Sequence, residues 1–186
     1  MILDEEKKAI IRWGQILHQK GFVTATGGNI SVKVAPRKIL ITAHNSYMGY
    51  LEKEDLVLID LKGNIIAGEK ETTSEKPLHL DIHGTFDDVK VILHAHPPYT
   101  VAFFHYFDSL NIIPFEAKFY LADIKIIPQA TATVSDTKQV TEALHDCRIA
   151  VLKDHGVVSI GRDFKEAFSL IELLEQQAKV NLITRQ

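Results

Sequence analysis

The sequence predicts a three-layer α/β/α fold, with a mostly antiparallel central sheet and helices on both faces. Segments with helical and strand-like hydrophobic patterns interleave without strict alternation. Several strand-like segments are separated only by short turns, which favours hairpins over parallel crossovers. The 186 residues contain no repeat, no low-complexity tract and no long linker, so we expect one domain over 1–186.

The first half of the chain predicts one long helix followed by hairpins. Apolar residues recur at helical spacing over 4–20, and Gly21 is expected to end that helix. Strands separated by turn residues are predicted over 30–34, 39–42, 56–60 and 65–66. Ser74 is expected to cap a helix that runs to about Gly84, with Pro77 in its first turn.

The second half predicts strands that alternate with helices. A buried strand over 89–94 stops before two prolines, and a helix over 99–107 follows. Further strands are predicted over 124–127, 149–152 and 157–160, and further helices over 136–145 and 163–182. The turn at 153–156, Lys-Asp-His-Gly, joins the last two strands as a hairpin.

Composition narrows the classes of partner and compartment. The formal net charge is -3 and the sequence pI is about 6.3, which gives no electrostatic basis for binding nucleic acid or an anionic membrane. The single cysteine, Cys147, excludes an internal disulfide and suits a reducing compartment. The N-terminus lacks the apolar region of a secretory signal, so we expect a cytoplasmic protein.

Histidine is the unusual residue in this composition, with nine copies. His94 and His96 lie at the end of a predicted strand, where side chains alternate between faces, so both point the same way. Their α-carbons are about 7 Å apart along a strand, close enough for both rings to bind one ion. His155 lies in a tight turn, where Gly156 lets the backbone approach closely, and is the expected third ligand.

Glu75 is the candidate fourth ligand, because it lies at a helix N-terminus that favours a carboxylate. A carboxylate that leaves the metal can also transfer a proton. The spacing alone leaves alternatives open, since two nearby histidines arise often by chance among nine. His79 and His83, four residues apart on one predicted helix face, offer a second and weaker metal pair without an evident third ligand.

Four motifs in order resemble the class II aldolase/adducin family. Residues 28–31, Gly-Asn-Ile-Ser, resemble its Gly-Asn-apolar-Ser signature, and residues 72–75, Thr-Thr-Ser-Glu, resemble its Ser-Ser-Glu motif. Residues 91–96 resemble its strand ending in His-x-His, and residues 154–157, Asp-His-Gly-Val, resemble its His-Gly turn. Each motif is weak by itself, whereas four in register with matching spacing are specific.

This resemblance implies a metal-dependent enzyme that acts on a small sugar phosphate, as a homotetramer with sites between subunits. It implies Zn2+, or another divalent ion such as Co2+, Mn2+ or Fe2+, bound by Glu75, His94, His96 and His155. The implied reaction is reversible cleavage of a fuculose-1-phosphate-like ketose phosphate to dihydroxyacetone phosphate and an aldehyde. Glu75 would then carry the proton to or from carbon, and the metal would stabilise the enediolate charge.

The resemblance also implies a phosphate site near the metal, at Gly28, Asn29, His44, Asn45, Thr73 and Ser74. Turn amides and a helix start bind anions, although the same residues also serve as plain turns and caps. Two departures from the family matter. His44 and Asn45 replace a Thr/Ser-Gly pair that contacts phosphate, and no tyrosine clearly matches the family's proton donor. Glu116 is a candidate replacement donor, with Tyr120 a weaker one.

Three other functions remain open at this point. Ribulose-phosphate 4-epimerases resemble this family but carry Asp where Glu75 stands, so Glu75 favours the aldolase. Methylthioribulose-1-phosphate dehydratases keep the glutamate and the histidines but differ over 103–128. A metal-bound interaction module without turnover is the third, although adducin-like members lack the three histidines that this chain keeps.

Overall fold

The central feature of the computed structural model is a mixed sheet, and the structure describes residues 2–113, 115, 117–121 and 124–184. The strands in the described residues are β1 Asn29–Ala35, β2 Lys38–Thr42, β3 Leu56–Asp60, β4 Ile65–Ala67, β5 Val91–Ala95, β6 Lys125–Ile127, β7 Ile149–Leu152 and β8 Gly156–Gly161. Their order across the sheet is β4-β3-β2-β1-β5-β8-β7-β6. Neighbouring strands are antiparallel except β6 and β7, which confirms the predicted sheet type.

Helices cover both faces of this sheet. They are α1 Ile2–Gln19, α2 Lys76–Thr85, α3 Pro98–Tyr106, α4 Lys118–Leu121, α5 Thr137–Asp146 and α6 Phe164–Thr184, with short 3-10 turns at Met48–Tyr50 and Lys53–Asp55. One hydrophobic cluster packs α1, α3 and α6 on the first face, and another packs α2 and α5 on the second. Within the described chain, no helix has both the length and the hydrophobicity to cross a membrane.

Strand alternation decides which residues face α2. In β5, Leu93 belongs to the cluster on the α1 face, whereas Ile92 belongs to the cluster on the α2 face. His94 therefore shares the α2 side of the sheet with Ile92. In β1, Ile30 belongs to the α1-face cluster, so its neighbours along the strand face α2 as well. Polar side chains at the ends of two central strands thus meet the start of α2.

The cap predicted for α2 is wrong, and α5 begins one residue after its predicted start. Ser74 does not cap α2, because the cap position is Glu75 and no side chain caps the helix there. Thr73 makes the local bonds instead: its hydroxyl accepts from the Glu75 N–H at 3.3 Å and its carbonyl from the Lys76 N–H at 3.1 Å. At α5, Asp136 does cap the helix by accepting from a backbone N–H at 2.9 Å.

Candidate metal centre

Three histidine side chains converge at one end of the central strands. His94, His96 and His155 each offer a ring nitrogen, and the three nitrogens lie within 4.8 Å of one another. The Nε2 atoms of His94 and His96 are 2.9 Å apart. In the described part of the chain, no other group of three or more such side chains meets in this way. The structure therefore brings together the three histidines that the sequence singled out.

The pairing of β5 with β8 carries His155 to the other two histidines. His94 lies opposite Val158 in this antiparallel pair, and the turn that holds His155 directly precedes β8. Gly156 makes the close approach possible, because a Cβ there would lie 2.3 Å from the Ala95 carbonyl oxygen and 2.6 Å from His96 Cδ2. Any larger residue at Gly156 would push the turn away from His96.

Burial favours the neutral form of all three rings, which is the form that binds a metal. Burial lowers the pKa of His94 and of His96 to about 3, with neighbouring histidines adding to the effect. Burial also lowers the pKa of His155. The Nδ1 atom of His94 lies 3.0 Å from the Val157 carbonyl, which can only accept, so Nδ1 carries the proton and Nε2 keeps a free lone pair. This donor set fits a divalent transition metal.

Glu75 lies beside the histidines as the candidate fourth ligand. Its Oε2 atom is 3.2 Å from His94 Nε2, and its Oε1 atom is 4.0 Å from His155 Nε2. Both oxygens also accept hydrogen bonds, from the Asn29 side-chain amide at 3.1 Å and from the Val134 N–H at 3.3 Å. The carboxylate is therefore held at the edge of the site by groups that are not metal ligands.

The residues expected to bind phosphate lie on adjoining segments. Ala43 forms an isolated antiparallel bridge with Thr72, and the Thr73 N–H donates to the Thr42 carbonyl at 3.1 Å. This pairing sets the loop of His44 and Asn45 next to Thr73 and Ser74, and both loop residues are exposed. Asn45 adopts a positive φ of 56°, the conformation that glycine takes in such loops.

Gly28 and Asn29 lie on the inner side of the same region. Gly28 has a φ of 79°, and a Cβ there would lie 2.8 Å from the His94 carbonyl oxygen, so the position favours glycine. Asn29 is buried and its side chain points to Glu75. Glu116 lies outside the described residues, and Tyr120 is largely exposed on α4.

An open cleft leads from the histidines to the surface, past α3 and the loop at 129–132. His96 and His155 form its inner wall, and His105 and Asp154 line it nearer the surface. His105 Nδ1 pairs with Asp154 Oδ1 at 2.6 Å. The sequence did not indicate this pair, because its members are 49 residues apart and His105 belongs to no motif.

The expected second metal pair has a different environment. His79 and His83 are buried on α2, and both contact the Ser31 hydroxyl, at 2.7 and 2.9 Å. A hydroxyl between the two rings takes the place that a shared ion would need. The spacing of these histidines correctly placed them on one helix face, but the sequence did not indicate that Ser31 would lie between them.

Comparison with known proteins adds three similarities. The family model described as class II aldolase and adducin N-terminal domain matches residues 8–182. An L-fuculose phosphate aldolase from Methanocaldococcus jannaschii is 34% identical over 178 residues, with 96% of each chain covered. A 5-deoxy-D-ribulose 1-phosphate aldolase from Bacillus thuringiensis is 27% identical. The alignment covers 100% of this chain and 88% of the aldolase chain.

Solved structures match the fold over a similar extent. The crystal structure of an L-fuculose-1-phosphate aldolase from Thermus thermophilus superimposes with a TM-score of 0.84 and 27% identity. The match covers 96% of this chain and 93% of that one. Sheet, helices and chain order are thus shared over nearly the full length of both proteins.

Proposed function

Because the chain belongs to the class II aldolase and adducin N-terminal domain family, we propose that it is a metal-dependent sugar-phosphate aldolase. It would reversibly cleave a ketose 1-phosphate to dihydroxyacetone phosphate and an aldehyde. One observation carries this proposal: three histidines converge beside a buried glutamate that is held by non-ligand donors. The aldolases that this chain resembles make L-fuculose 1-phosphate the first substrate to test.

His94, His96 and His155 would hold the metal, and Glu75 would complete the set before substrate enters. Histidine ligands favour Zn2+, and Co2+, Mn2+ or Fe2+ can substitute when a carboxylate is present. A bound divalent cation supplies Lewis acidity, which stabilises the negative charge that develops when the bond next to a carbonyl breaks.

Glu75 would move the proton at the substrate carbon. In cleavage, a base takes the proton of the C4 hydroxyl, the C3–C4 bond breaks, and its electron pair stays with the three-carbon fragment. Glu75, which takes up a proton from solvent before this step, gives that proton to C3 and so completes dihydroxyacetone phosphate, and the base releases the C4 hydroxyl proton to solvent. Asn29 and Val134 support this role, since their N–H groups hold one carboxylate oxygen each. Glu116, reaching a neighbouring subunit's site, remains our candidate for the C4 hydroxyl proton.

The substrate phosphate would bind at Gly28, Asn29, His44, Asn45, Thr73 and Ser74. The bridge between Ala43 and Thr72 supports this placement, because it brings the His44 loop against the start of α2. Hydroxyls and backbone N–H groups at a helix start attract anions. Exposed His44 adds a ring nitrogen that donates to phosphate.

We also propose a cytoplasmic homotetramer with sites between subunits. Exposed aromatic side chains on and after α3 support an interface there, because adjoining exposed apolar side chains mark interaction surfaces. These side chains are Tyr99, Tyr106, Phe115 and Phe119. The rings of Phe115 and Phe119 adjoin one another, with centroids 6.4 Å apart. Light scattering on the purified protein measures the assembly, and a monomeric mass would contradict it.

Product analysis tests the reaction. Purified zinc-loaded protein is incubated with a panel of ketose 1-phosphates and ribulose 5-phosphate, and products are identified by mass spectrometry and NMR. Release of dihydroxyacetone phosphate from a ketose 1-phosphate is the expected result. A dehydrated product would identify a dehydratase and inversion at C4 an epimerase. If no compound is turned over, the remaining interpretation is a metal-bound interaction module without catalytic activity.

A further inference from the structure

A continuous chain of buried hydrogen bonds runs from Glu75 into the protein interior. Glu75 Oε2 accepts from Asn29 Nδ2 at 3.1 Å, and Asn29 Oδ1 lies 2.5 Å from His79 Nε2. His79 Nδ1 lies 2.7 Å from the Ser31 hydroxyl, which in turn lies 2.9 Å from His83 Nε2. All five side chains are at most 5% exposed, so water does not compete for these bonds.

The carboxylate at one end determines the position of each proton along this chain. Ionised Glu75 can only accept, so the Asn29 amide must turn its NH2 group outward and its oxygen toward His79. The amide oxygen also only accepts, so His79 carries its proton on Nε2. Burial lowers the pKa of His79 to about 3, which keeps the ring neutral and leaves Nδ1 as an acceptor.

The directions of the remaining hydrogen bonds follow from the single proton of the Ser31 hydroxyl. Ser31 donates its proton to His79 Nδ1 and so must accept from His83 Nε2. Burial lowers the pKa of His83 to about 3, so this ring is neutral with its proton on Nε2. Every donor therefore points along this series of hydrogen bonds from His83 toward Glu75. Reversing any one bond would place two acceptors or two donors opposite each other.

We propose that His79, with Ser31 and His83 behind it, is a positioning residue that locks the Asn29 amide so that its N–H holds the Glu75 carboxylate. A free asparagine amide rotates and offers either its N–H or its oxygen. The oxygen would repel the carboxylate and move it from the place where it exchanges a proton. This inference rests on the proposed function for the role of Glu75, whereas the direction of the hydrogen bonds is independent of it.

Kinetics on two variants of one residue test the positioning role. His79→Phe keeps a ring but removes the donor to Asn29. We expect kcat on the ketose 1-phosphate that wild type cleaves to fall at least about 10-fold, because the unlocked Asn29 amide loses its charge-assisted hydrogen bond to Glu75. KM should change less than about threefold, because most of the proposed phosphate site, at 44–45 and 73–74, is unchanged. His79→Gln retains an N–H near the position of Nε2, and kcat should return to within about threefold of wild type.

The control is His18→Phe, which removes another partly buried imidazole on α1, far from Glu75 in the chain. It should leave kcat and KM unchanged. Equal loss of kcat in His79→Phe and His79→Gln would overturn the proposal, because size rather than the donor would then matter. Normal kcat in His79→Phe would also overturn it.

A spectroscopic measurement gives a readout that needs no turnover. In the zinc-loaded full chain with 15N-labelled histidine, His79 and His83 should both appear as neutral rings protonated on Nε2 at pH 7.5. In a second sample labelled with 15N-asparagine, the Asn29 side-chain amide signals should shift in His79→Phe. A ring protonated on Nδ1 at His79 would contradict the direction of the chain. If the wild-type protein cleaved no ketose phosphate, the proposed function would be wrong. The NMR measurement would still test the direction of the hydrogen bonds, because it does not depend on turnover.

Discussion

The Nδ1 atom of His94 lies 3.0 Å from the carbonyl oxygen of Val157 on the adjacent strand. The bond fixes the tautomer of His94 and turns Nε2 toward His96 and Glu75, at 2.9 and 3.2 Å. A metal ligand gains affinity when its ring is oriented before the ion arrives. The fold, and not the ion, thus arranges this part of the site.

Replacing His155 should therefore weaken metal binding and have little effect on the fold. We expect His155→Ala to bind Zn2+ at least about 100-fold more weakly, because the loss of even an outer partner of a ligand costs about 10- to 100-fold. The measurement is metal content after dialysis, followed by competition with a chelator. His145→Ala, an exposed histidine on α5, is the control and should keep its zinc. Full occupancy in His155→Ala would remove this residue from the site.

Glu75→Gln should separate metal binding from turnover. Glutamine has the same shape, so we expect the variant to fold, with a cooperative thermal melt, and to keep most of the bound metal. It cannot exchange a proton, and its NH2 group would face either Asn29 Nδ2 or the Val134 N–H, donor against donor. We expect kcat to fall by about 100-fold or more, as for loss of an acid/base group. Normal turnover would rule out the proton-transfer role.

Strand periodicity made much of this site predictable from the sequence. His94 and His96 lie two residues apart on one strand face, and the motif order placed His155 and Glu75 with them. The predicted bounds of β3 and β7 match the structure, because both are short apolar runs between turn residues. The predicted cap of α2 was wrong, because the cap position is Glu75 rather than Ser74, and only the backbone path determines that the Thr73 hydroxyl bonds at this helix start.

Long-range pairing was the part that the sequence could not supply. Val134 reaches Glu75 from 59 residues away, through a backbone N–H that carries no sequence signal. Ser31 meets His79 and His83 because β1 lies next to β5 in the sheet and under α2, and that order is not written in any local pattern. Buried histidines at helical spacing indicate only that something polar must face them.

Gly156 offers a test of how closely the histidine turn must pack. In Gly156→Ala the new Cβ would lie 2.3 Å from the Ala95 carbonyl oxygen, so the backbone must move. We expect the free energy of unfolding to fall by about 1–3 kcal/mol, as for other overpacked sites, together with a loss of zinc affinity. Urea denaturation and metal titration measure both effects.

Gly84→Ala is the matched control for this substitution. Gly84 lies in α2 with no atom within 4 Å of the added Cβ, so alanine there should stabilise the protein by about 0.5–1 kcal/mol. If Gly156→Ala were as stable as wild type and bound zinc normally, the close approach of the turn would not matter to the site.

His44 provides a test of the altered phosphate loop. His44→Ala removes an exposed ring beside Thr73 and Ser74, so we expect KM to rise by about 10-fold with kcat unchanged, the pattern of lost uniform binding. Inorganic phosphate should also inhibit the variant more weakly. His105→Ala, exposed in the cleft, is the control for loss of a surface imidazole and should leave phosphate inhibition unchanged. An unchanged KM in His44→Ala would place the phosphate elsewhere.

The buried histidines of α2 predict that the metal-free protein loses stability in mild acid. The pKa of His79 and of His83 is about 3 in the folded protein, below the 6.5 of a free histidine. Between these values the unfolded chain binds more protons, so the free energy of unfolding falls as pH drops below about 6.5 and is level above it. Each ring contributes a loss of about 2 kcal/mol at pH 5.

Urea denaturation of the metal-free protein at pH 7.5 and at pH 5 measures this loss. His79→Phe isolates the contribution of one ring, because the variant has no proton to bind at that position and its stability should depend less on pH than that of wild type. His145→Ala, which removes an exposed imidazole, should retain the wild-type pH dependence. Equal stability of the wild-type protein at the two pH values would show that these rings accept protons in the folded state, and that the hydrogen bonds through Ser31 do not keep them neutral.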